Sequence, residues 1–161
     1  MQSAPSSLPA SAPPTSTQAV LDACHQDILV HLAELTLLAE RLSAQDVDAQ
    51  CRAMAERIEK FFSKTSRAHH AMEERSIFPP LLRDGSDEVV HAVRSLQQDH
   101  GWIEENWIEL SPQLAAIAAG QVEYDLAEFT HAAEMFGDLC REHIQLEESM
   151  IYPVARAQRV V

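Results

Sequence analysis

The sequence lacks the features that define several protein classes. Its 161 residues include no stretch of about 18 apolar residues, so a membrane-spanning helix is not predicted. With only 4 glycines and few runs of β-branched residues, it does not resemble a sheet protein. Its 3 cysteines (Cys24, Cys51 and Cys140) are odd in number and widely spaced, with no CxxC pair, which argues against a disulfide framework. We interpret them as small buried residues of a protein in a reducing compartment.

Positive charge is also scarce. Lysine and arginine together number 12 against 25 aspartates and glutamates, which gives a formal net charge of −13. An acidic surface repels phosphate backbones and anionic lipid, so neither nucleic acid nor a membrane is expected as a partner. The N-terminus has neither the basic start nor the apolar segment of a secretory signal. These features predict a cytoplasmic protein and give no indication of its oligomeric state.

The N-terminal segment differs in composition from the rest of the chain. Residues 1–17 hold four prolines among many serines, threonines and alanines. Such a segment cannot bury enough apolar surface to offset the entropy lost on ordering. We therefore predict a disordered tail over residues 1–17 and a single domain over residues 18–161.

Apolar residues recur at helical spacing through that domain. The periodicity predicts helices over about residues 16–43, 46–78, 88–119 and 125–151. The predicted inward positions are Leu21, His25, Ile28, Leu32, Leu35, Ala39 and Leu42 in the first helix, and Val47, Cys51, Met54, Ile58, Phe61, Thr65 and His69 in the second. Those of the third helix are Val93, Leu96, His100, Ile103, Trp107, Leu110, Leu114 and Ile117, and those of the fourth are Phe129, Ala132, Phe136, Leu139, His143, Leu146 and Met150. Four long amphipathic helices with short connections predict an all-α, up-down-up-down antiparallel four-helix bundle.

One motif occurs twice in the chain. Its skeleton, Arg-x-His-x-x-x-Glu-Glu-x-x-Ile-aromatic-Pro, runs from Arg67 to Pro79 and again from Arg141 to Pro153. The histidine and the first glutamate of each copy are four residues apart, so they share one helix face. Imidazole with carboxylate is a ligand set for iron, manganese or zinc. The closing proline is expected to end or bend each helix just past this pair.

Each predicted helix carries one histidine on its apolar stripe, and antiparallel packing would bring the four to one level. The candidate metal ligands are His25, His69, Glu73, His100, His143 and Glu147. Burying six such groups is costly unless each has a partner, and a cation supplies one for all of them. Two metal ions bridged by the two carboxylates would suit this set, although a single ion, or zinc, stays open. Whether His70 or Glu104 adds a ligand is also open, since His70 could instead hydrogen-bond to a ligand ring.

Other histidines in the chain make weaker candidates. Glu88 with His91, and Glu128 with His131, match the Glu-x-x-His spacing of ferritin-like di-iron bundles. Both pairs lie off the apolar stripes and at opposite ends of an antiparallel bundle, so we interpret them as solvated faces. His31 is likewise off the stripe and is predicted to be a surface residue.

The two motif copies, together with His25 and His100, resemble the hemerythrin family, and more specifically the bacterial hemerythrin-like domains described as HHE cation-binding. The resemblance covers about residues 19–153. It implies a four-helix bundle with a non-haem di-iron centre, that is, two oxo- or hydroxo-bridged iron ions joined by Glu73 and Glu147. Zinc or manganese is the alternative metal.

The resemblance to the oxygen-carrying hemerythrins is incomplete. Those proteins have a His-x-x-x-His pair on the third helix, whereas here Glu104 stands four residues after His100. This pattern resembles the iron-sensing and iron–sulfur repair members more closely. The expected function is a di-iron protein that binds or senses a small diatomic ligand such as oxygen or nitric oxide. The alternatives are a di-iron redox enzyme that reduces peroxide or nitric oxide or oxidises ferrous iron, and an iron storage or repair donor.

Overall fold

The computed structural model describes residues 17–44, 46–121 and 124–158, and these residues form helices but no strand. The helices are α1 (Thr17–Ala44), α2 (Ala49–Phe61), α3 (Arg67–Ser76), α4 (Phe78–Asp84), α5 (Asp87–Ala118), α6 (Leu126–Leu146) and α7 (Tyr152–Ala157). A π-helical turn over Phe62–Ser66 joins α2 to α3, and a second over Glu147–Ile151 joins α6 to α7. Apart from Thr17, which begins α1, the predicted tail lies outside the described residues. No helix in the described part of the chain is long and apolar enough to cross a membrane.

The long helices form a closed ring of neighbours. Helix α2 packs against α1 and α5, and α6 packs against the same two helices. Because short connections reverse the chain between successive members, the bundle is antiparallel and the predicted all-α fold is confirmed. The four bundle members are α1, α2 with its continuation α3, α5, and α6. Helix α4 packs against α5 near one end of the bundle.

Side-chain caps determine where three of the helices begin. Asp48 caps α2 by accepting a hydrogen bond from the backbone N–H of Cys51 at 2.7 Å. The cap is two residues after residue 46, where the periodicity predicts that this helix begins. Ser86 and Asp125 cap α5 and α6 in the same manner, each accepting from backbone N–H groups of the first turn.

The second and fourth bundle members are less regular than the periodicity predicts. The predicted helix over residues 46–78 begins at Ala49, passes through a π-helical turn and ends at Ser76. Helix α4 then starts with proline in its first turn, where a missing N–H breaks no intrahelical bond. The fourth helix, predicted to run to Ile151, changes to a π-helical turn at Glu147. Helix α7 follows and ends at Ala157, beyond the predicted end of the fourth helix.

The π-helical turns also move the inward-facing positions. All seven predicted positions of α1 are buried, but in the second member Phe62 and Ser66 are buried where Phe61 and Thr65 were predicted. A π-helical turn bonds residue i to i+5, so its residues take other angular positions than in an α-helix. The displacement is local, because His69 is again buried as predicted.

The fourth member shows a similar displacement. Ala133 and Cys140 are buried, whereas the predicted Ala132 and Leu139 are only half-buried. Further along, Glu147 is buried, as expected of a candidate ligand, whereas Leu146, also predicted inward, is only half-buried. This shift of one position brings the carboxylate into the bundle interior.

Buried polar residues divide the core into two apolar clusters. The larger cluster fills the body of the bundle and includes Ile28, Leu35, Ile58, Leu110 and Phe136. The smaller cluster closes one end and includes Leu21, Phe78, Leu96, Ile151 and Tyr152. The sequence positions of the two clusters leave one intervening level along each bundle member, and the candidate metal ligands occupy that level.

Candidate metal centre

Six polar side chains form the layer between the two apolar clusters. They are His25, His69, Glu73, His100, His143 and Glu147, the predicted ligands. Both glutamates and His25 are fully buried, His69 and His143 are 2–3% exposed, and the side chain of His100 is 10% exposed. The structure therefore brings all six together, while their role as ligands stays a prediction.

His25, His69 and the two glutamates form one half of this layer. The Nε2 atom of His25 lies 3.1 Å from Nε2 of His69 and 3.1 Å from Oε2 of Glu147. Nε2 of His69 lies 3.5 Å from Oε1 of Glu73. One ligand atom from each of the four residues falls within 4.8 Å of the others, which is close enough to surround one ion.

His100, His143 and the same two glutamates form the other half. Nε2 of His143 lies 3.0 Å from Oε1 of Glu147, and Nε2 of His100 lies 3.5 Å from Oε2 of Glu73. Each carboxylate therefore directs one oxygen towards each half of the layer. This geometry can accommodate two cations that share both carboxylates.

Many polar atoms of the layer have no hydrogen-bond partner. Among the described residues, these buried atoms include Nδ1 of His69, Oε2 of Glu73, Nε2 of His100, both ring nitrogens of His143 and both carboxylate oxygens of Glu147. Burial without a partner costs about 1–3 kcal/mol for a neutral group and more for a charge. A cation removes that cost at each oxygen and nitrogen that faces it, so the residues present fit a bound metal.

The electrostatics of the layer point the same way. Burial and the neighbouring Glu73 charge raise the pKa of the Glu147 carboxyl well above its ordinary value. Burial acts to raise the pKa of Glu73 as well, but the neighbouring His100 and His69 rings outweigh it and lower that pKa. Burial lowers the pKa of His69 to about 4, so its ring is neutral and offers a lone pair. Two buried carboxylates cannot both be ionised so close together unless a cation offsets their charge.

The second glutamate of each motif copy lies outside this layer and contacts a histidine of the opposite half. Glu74 accepts a hydrogen bond from Nδ1 of His100 at 3.0 Å, and Glu148 accepts one from Nδ1 of His25 at 3.0 Å. A proton on Nδ1 leaves the lone pair on Nε2, which is the atom directed into the layer. Neither glutamate is among the six predicted ligands, although the repeat shows that the two are equivalent, since each is the second glutamate of its motif copy.

The aromatic residue of each copy stacks on the same histidine. The Phe78 ring lies 5.6 Å from that of His100, and the Tyr152 ring lies 5.1 Å from that of His25. Tyr152 differs by its hydroxyl, which donates a hydrogen bond to Oε1 of Glu73 at 2.5 Å and lies 3.2 Å from Nε2 of His25. This polar contact is an addition from the structure to the site predicted from the sequence.

His70 also reaches the layer, whereas Glu104 does not. The His70 ring stacks on His100 with centroids 4.0 Å apart. Glu104 is directed away and forms an ion pair with Arg67. Its carboxylate belongs to none of the metal-binding groups found among the described residues, so the suggestion that Glu104 adds a ligand is not supported.

The remaining histidines lie elsewhere. His91 and His131 are exposed, as are Glu88 and Glu128, in agreement with the interpretation as solvated faces. His31 is half-buried, because its ring stacks on Phe61 at 3.8 Å, and so it is less exposed than predicted.

A small cavity adjoins the layer on the side of the large apolar cluster. Its volume is about 10 Å³, which is room for about one water-sized molecule. It is lined by Ile28, Ser66, His69, His70, Ile103, Cys140, His143 and Ile144. Imidazole rings thus form one part of its wall and aliphatic side chains most of the remainder.

The fold and the layer define a helical bundle with a buried cluster of side chains that could hold metal ions. The family described as the hemerythrin HHE cation binding domain matches residues 16–155, and the chain belongs to that family. A relative from Haemophilus influenzae, itself named only as an uncharacterized protein, is 28% identical over 131 residues. The match spans 81% of this chain and 74% of that protein. No solved structure matches the chain.

Proposed function

We propose that this cation-binding domain holds two iron ions and uses them to bind or sense a small diatomic ligand such as oxygen or nitric oxide. The proposed ligands are His25, His69, Glu73, His100, His143 and Glu147. The arrangement of Glu73 and Glu147 supports two ions, because each carboxylate directs one oxygen towards one half of the layer and the second oxygen towards the other half. Mixed imidazole and carboxylate donors suit iron, while zinc or manganese is the alternative.

A bridged pair of iron ions supplies open coordination positions and reversible redox change. The protein holds these ions in a fixed position, because the ligand residues belong to four packed bundle members. Glu74 and Glu148 orient two of the imidazoles through Nδ1. Apolar residues on both sides of the layer exclude bulk water.

The cavity beside the layer is the observation that carries the choice of ligand. Its volume of about 10 Å³ is room for about one water-sized molecule, which excludes an organic substrate and favours the smallest ligands. Ile28, Ile103 and Ile144 give it an apolar wall, which suits uncharged oxygen or nitric oxide. The three imidazoles of His69, His70 and His143 place the cavity directly against the proposed ions.

The proposal is tested on protein purified without oxygen. We expect elemental analysis to give two iron ions per chain, and the visible spectrum to change on adding oxygen or nitric oxide and to revert when the gas is removed. A His143→Ala variant should lose iron and the spectral change together. Protein that takes up no iron under anaerobic conditions would contradict the proposal.

A redox enzyme is the second candidate, and the Tyr152 hydroxyl favours it. This hydroxyl lies against Glu73 and His25 and gives the site a buried hydrogen-bond donor. Reduction of peroxide or nitric oxide develops negative charge on oxygen, which such a donor stabilises. If the protein is an enzyme, Tyr152→Phe should slow turnover of peroxide while Tyr124→Phe, remote from the layer, leaves it unchanged. Absence of turnover in the iron-loaded wild type would leave binding alone.

The expected surroundings of the protein are part of this proposal. Its formal net charge of −13 supports the prediction that no nucleic acid and no anionic membrane is a partner. A cytoplasmic location stays a prediction that rests on the sequence, as does iron storage or repair as a further use of the same site.

A further inference from the structure

The internal repeat makes the two halves of the metal layer equivalent except at a few positions. His25 corresponds to His100, His69 to His143, and Glu73 to Glu147. The residue after the first motif histidine breaks this equivalence, since it is His70 in one copy and Ile144 in the other. An imidazole beside a metal layer can ligate an ion, whereas an isoleucine cannot.

Among the described residues, the potential metal-binding group that contains His70 takes its other two members from one half of the layer. Its ring lies 4.0 Å from the His100 ring and 5.4 Å from the His143 ring, measured between centroids. One ring nitrogen from each of these three residues falls within 4.8 Å of the other two. The two four-residue groups that contain Glu73 and Glu147 satisfy the same limit.

We propose that His70 is a third imidazole ligand of the cation held by His100 and His143, so that the two cation positions of the centre are unequal. This inference rests on the proposed function, because it presumes that the layer holds two ions. At the other cation position, beside His25 and His69, the repeat has Ile144 in place of His70. The Tyr152 hydroxyl also lies near that position. The position with three imidazoles is therefore the tighter one and fills first.

The test is a titration of the metal-free protein with Co(II), which stands in for Fe(II) and has visible ligand-field bands that report the number of ligands. Binding constants come from calorimetry and coordination from the spectrum of the first equivalent. The main variant is His70→Ile, which introduces the residue of the other copy. His70→Gln is the second variant and decides the matter if the first does not fold.

A matched control is available in His31. Its ring is also half-buried and stacked on an aromatic ring, that of Phe61 at 3.8 Å, but it lies outside the metal-binding groups of the described residues. His31→Ile therefore removes the same kind of side chain without touching the layer.

We expect the wild type and His31→Ile to bind two Co(II) ions with two distinct constants. In both His70 variants the affinity of the tighter position for Co(II) should fall by more than about 100-fold. Loss of a residue that only hydrogen-bonds to a ligand costs about 10–100-fold, so a larger fall indicates loss of a ligand. The ligand-field spectrum of the first equivalent should change with it, while the weaker constant stays within a factor of about three.

Two results would overturn the inference, and each differs from failure of the proposed function. If both His70 variants bind two ions as the wild type does, His70 is not a ligand although the metal centre stands. If both constants fall equally, His70 does not belong to one half. A wild type that binds no ion at all would instead reject the proposed function itself.

Discussion

At the scale of single residues, the repeat pairs each outer carboxylate with a histidine of the opposite half. Glu148 binds Nδ1 of His25, and Glu74 binds Nδ1 of His100. Both carboxylates are partly solvent-exposed, with side-chain exposures of 45% and 36%. Their contribution is therefore one of orientation, because each fixes which ring nitrogen keeps its lone pair.

We predict that Glu148→Ala weakens cation binding by about 10–100-fold, the usual cost of losing such a partner. The loss should fall on the half that contains His25, and Glu74→Ala should affect the half that contains His100. Glu148→Gln keeps an acceptor oxygen and should restore most of the affinity. Glu142→Ala removes an exposed carboxylate of the same bundle member, so equal weakening by that control would show a general charge effect. Calorimetric titration of each variant provides the measurement.

His69 makes the stability of the metal-free protein depend on pH. Burial lowers its folded pKa from 6.5 to about 4, so protons bind the unfolded state first as the pH falls. The contribution of His69 is fully present above about pH 6.5 and is lost as the pH falls through about 4, with a total on the order of 3 kcal/mol. The difference in unfolding free energy between the wild type and His69→Gln, measured by urea denaturation across this range, should shrink accordingly. A difference that is constant with pH would show that His69 titrates normally.

At the scale of helices, the end of α5 depends on one glycine. Gly120 has φ of 76°, a left-handed conformation in which a side chain is strained by about 1–2 kcal/mol. Gly101, in the middle of the same helix, has open space where the methyl group of an alanine would lie, with nothing within 4 Å. We predict that Gly120→Ala lowers the free energy of unfolding by about 1–2 kcal/mol, whereas Gly101→Ala raises it by about 0.5–1 kcal/mol. Chemical denaturation measures both, and a loss of stability in Gly101→Ala would contradict the helix assignment there.

The regular helices could be predicted from periodicity, and the π-helical turns could not. In α1, residues from Leu21 to Leu42 follow alternating steps of three and four, and all the predicted inward positions are buried. In the second member the buried positions step from Ile58 to Phe62 and then to Ser66. Both Phe61 and Phe62 are apolar, so composition does not show which of them faces inward. That choice depends on packing against α1 and α6, which is not contained in the local sequence.

Some features of the site could likewise be predicted from the sequence, and others could not. The convergence of six side chains could be predicted because the repeat supplies the same spacing twice, at His69 and at His143. The contact of the Tyr152 hydroxyl with Glu73 joins residues 79 apart in the sequence and needs the tertiary fold. Glu104 was a reasonable candidate by spacing alone, but Arg67 on the adjacent helix provides it with an ion-pair partner outside the layer.

At the scale of the whole molecule, the metal layer interrupts the core. The apolar clusters above and below it supply the favourable burial, while the layer brings carboxylates and imidazoles without hydrogen-bond partners into the interior. Without a cation, one carboxyl of the Glu73–Glu147 pair keeps a proton, in keeping with the raised pKa of Glu147. The metal-free protein is therefore expected to fold but to lose part of its stability at this level.

Cation loading should restore that stability. A ligand that binds only the folded state adds about 2.7 kcal/mol at a free concentration of 100 times its Kd, which raises the Tm of a domain of this size by roughly 5–10 °C. We predict that a chelator lowers the Tm of the iron-loaded wild type by at least this amount. We also predict that loading releases protons, because both carboxylates become ionised. Glu147→Gln removes one shared ligand and should abolish most of the shift in Tm, while Glu142→Gln should retain it. Equal melting of chelated and loaded wild-type protein would mean that the layer is satisfied without a cation, and the two bridging carboxylates would then need another explanation for their burial.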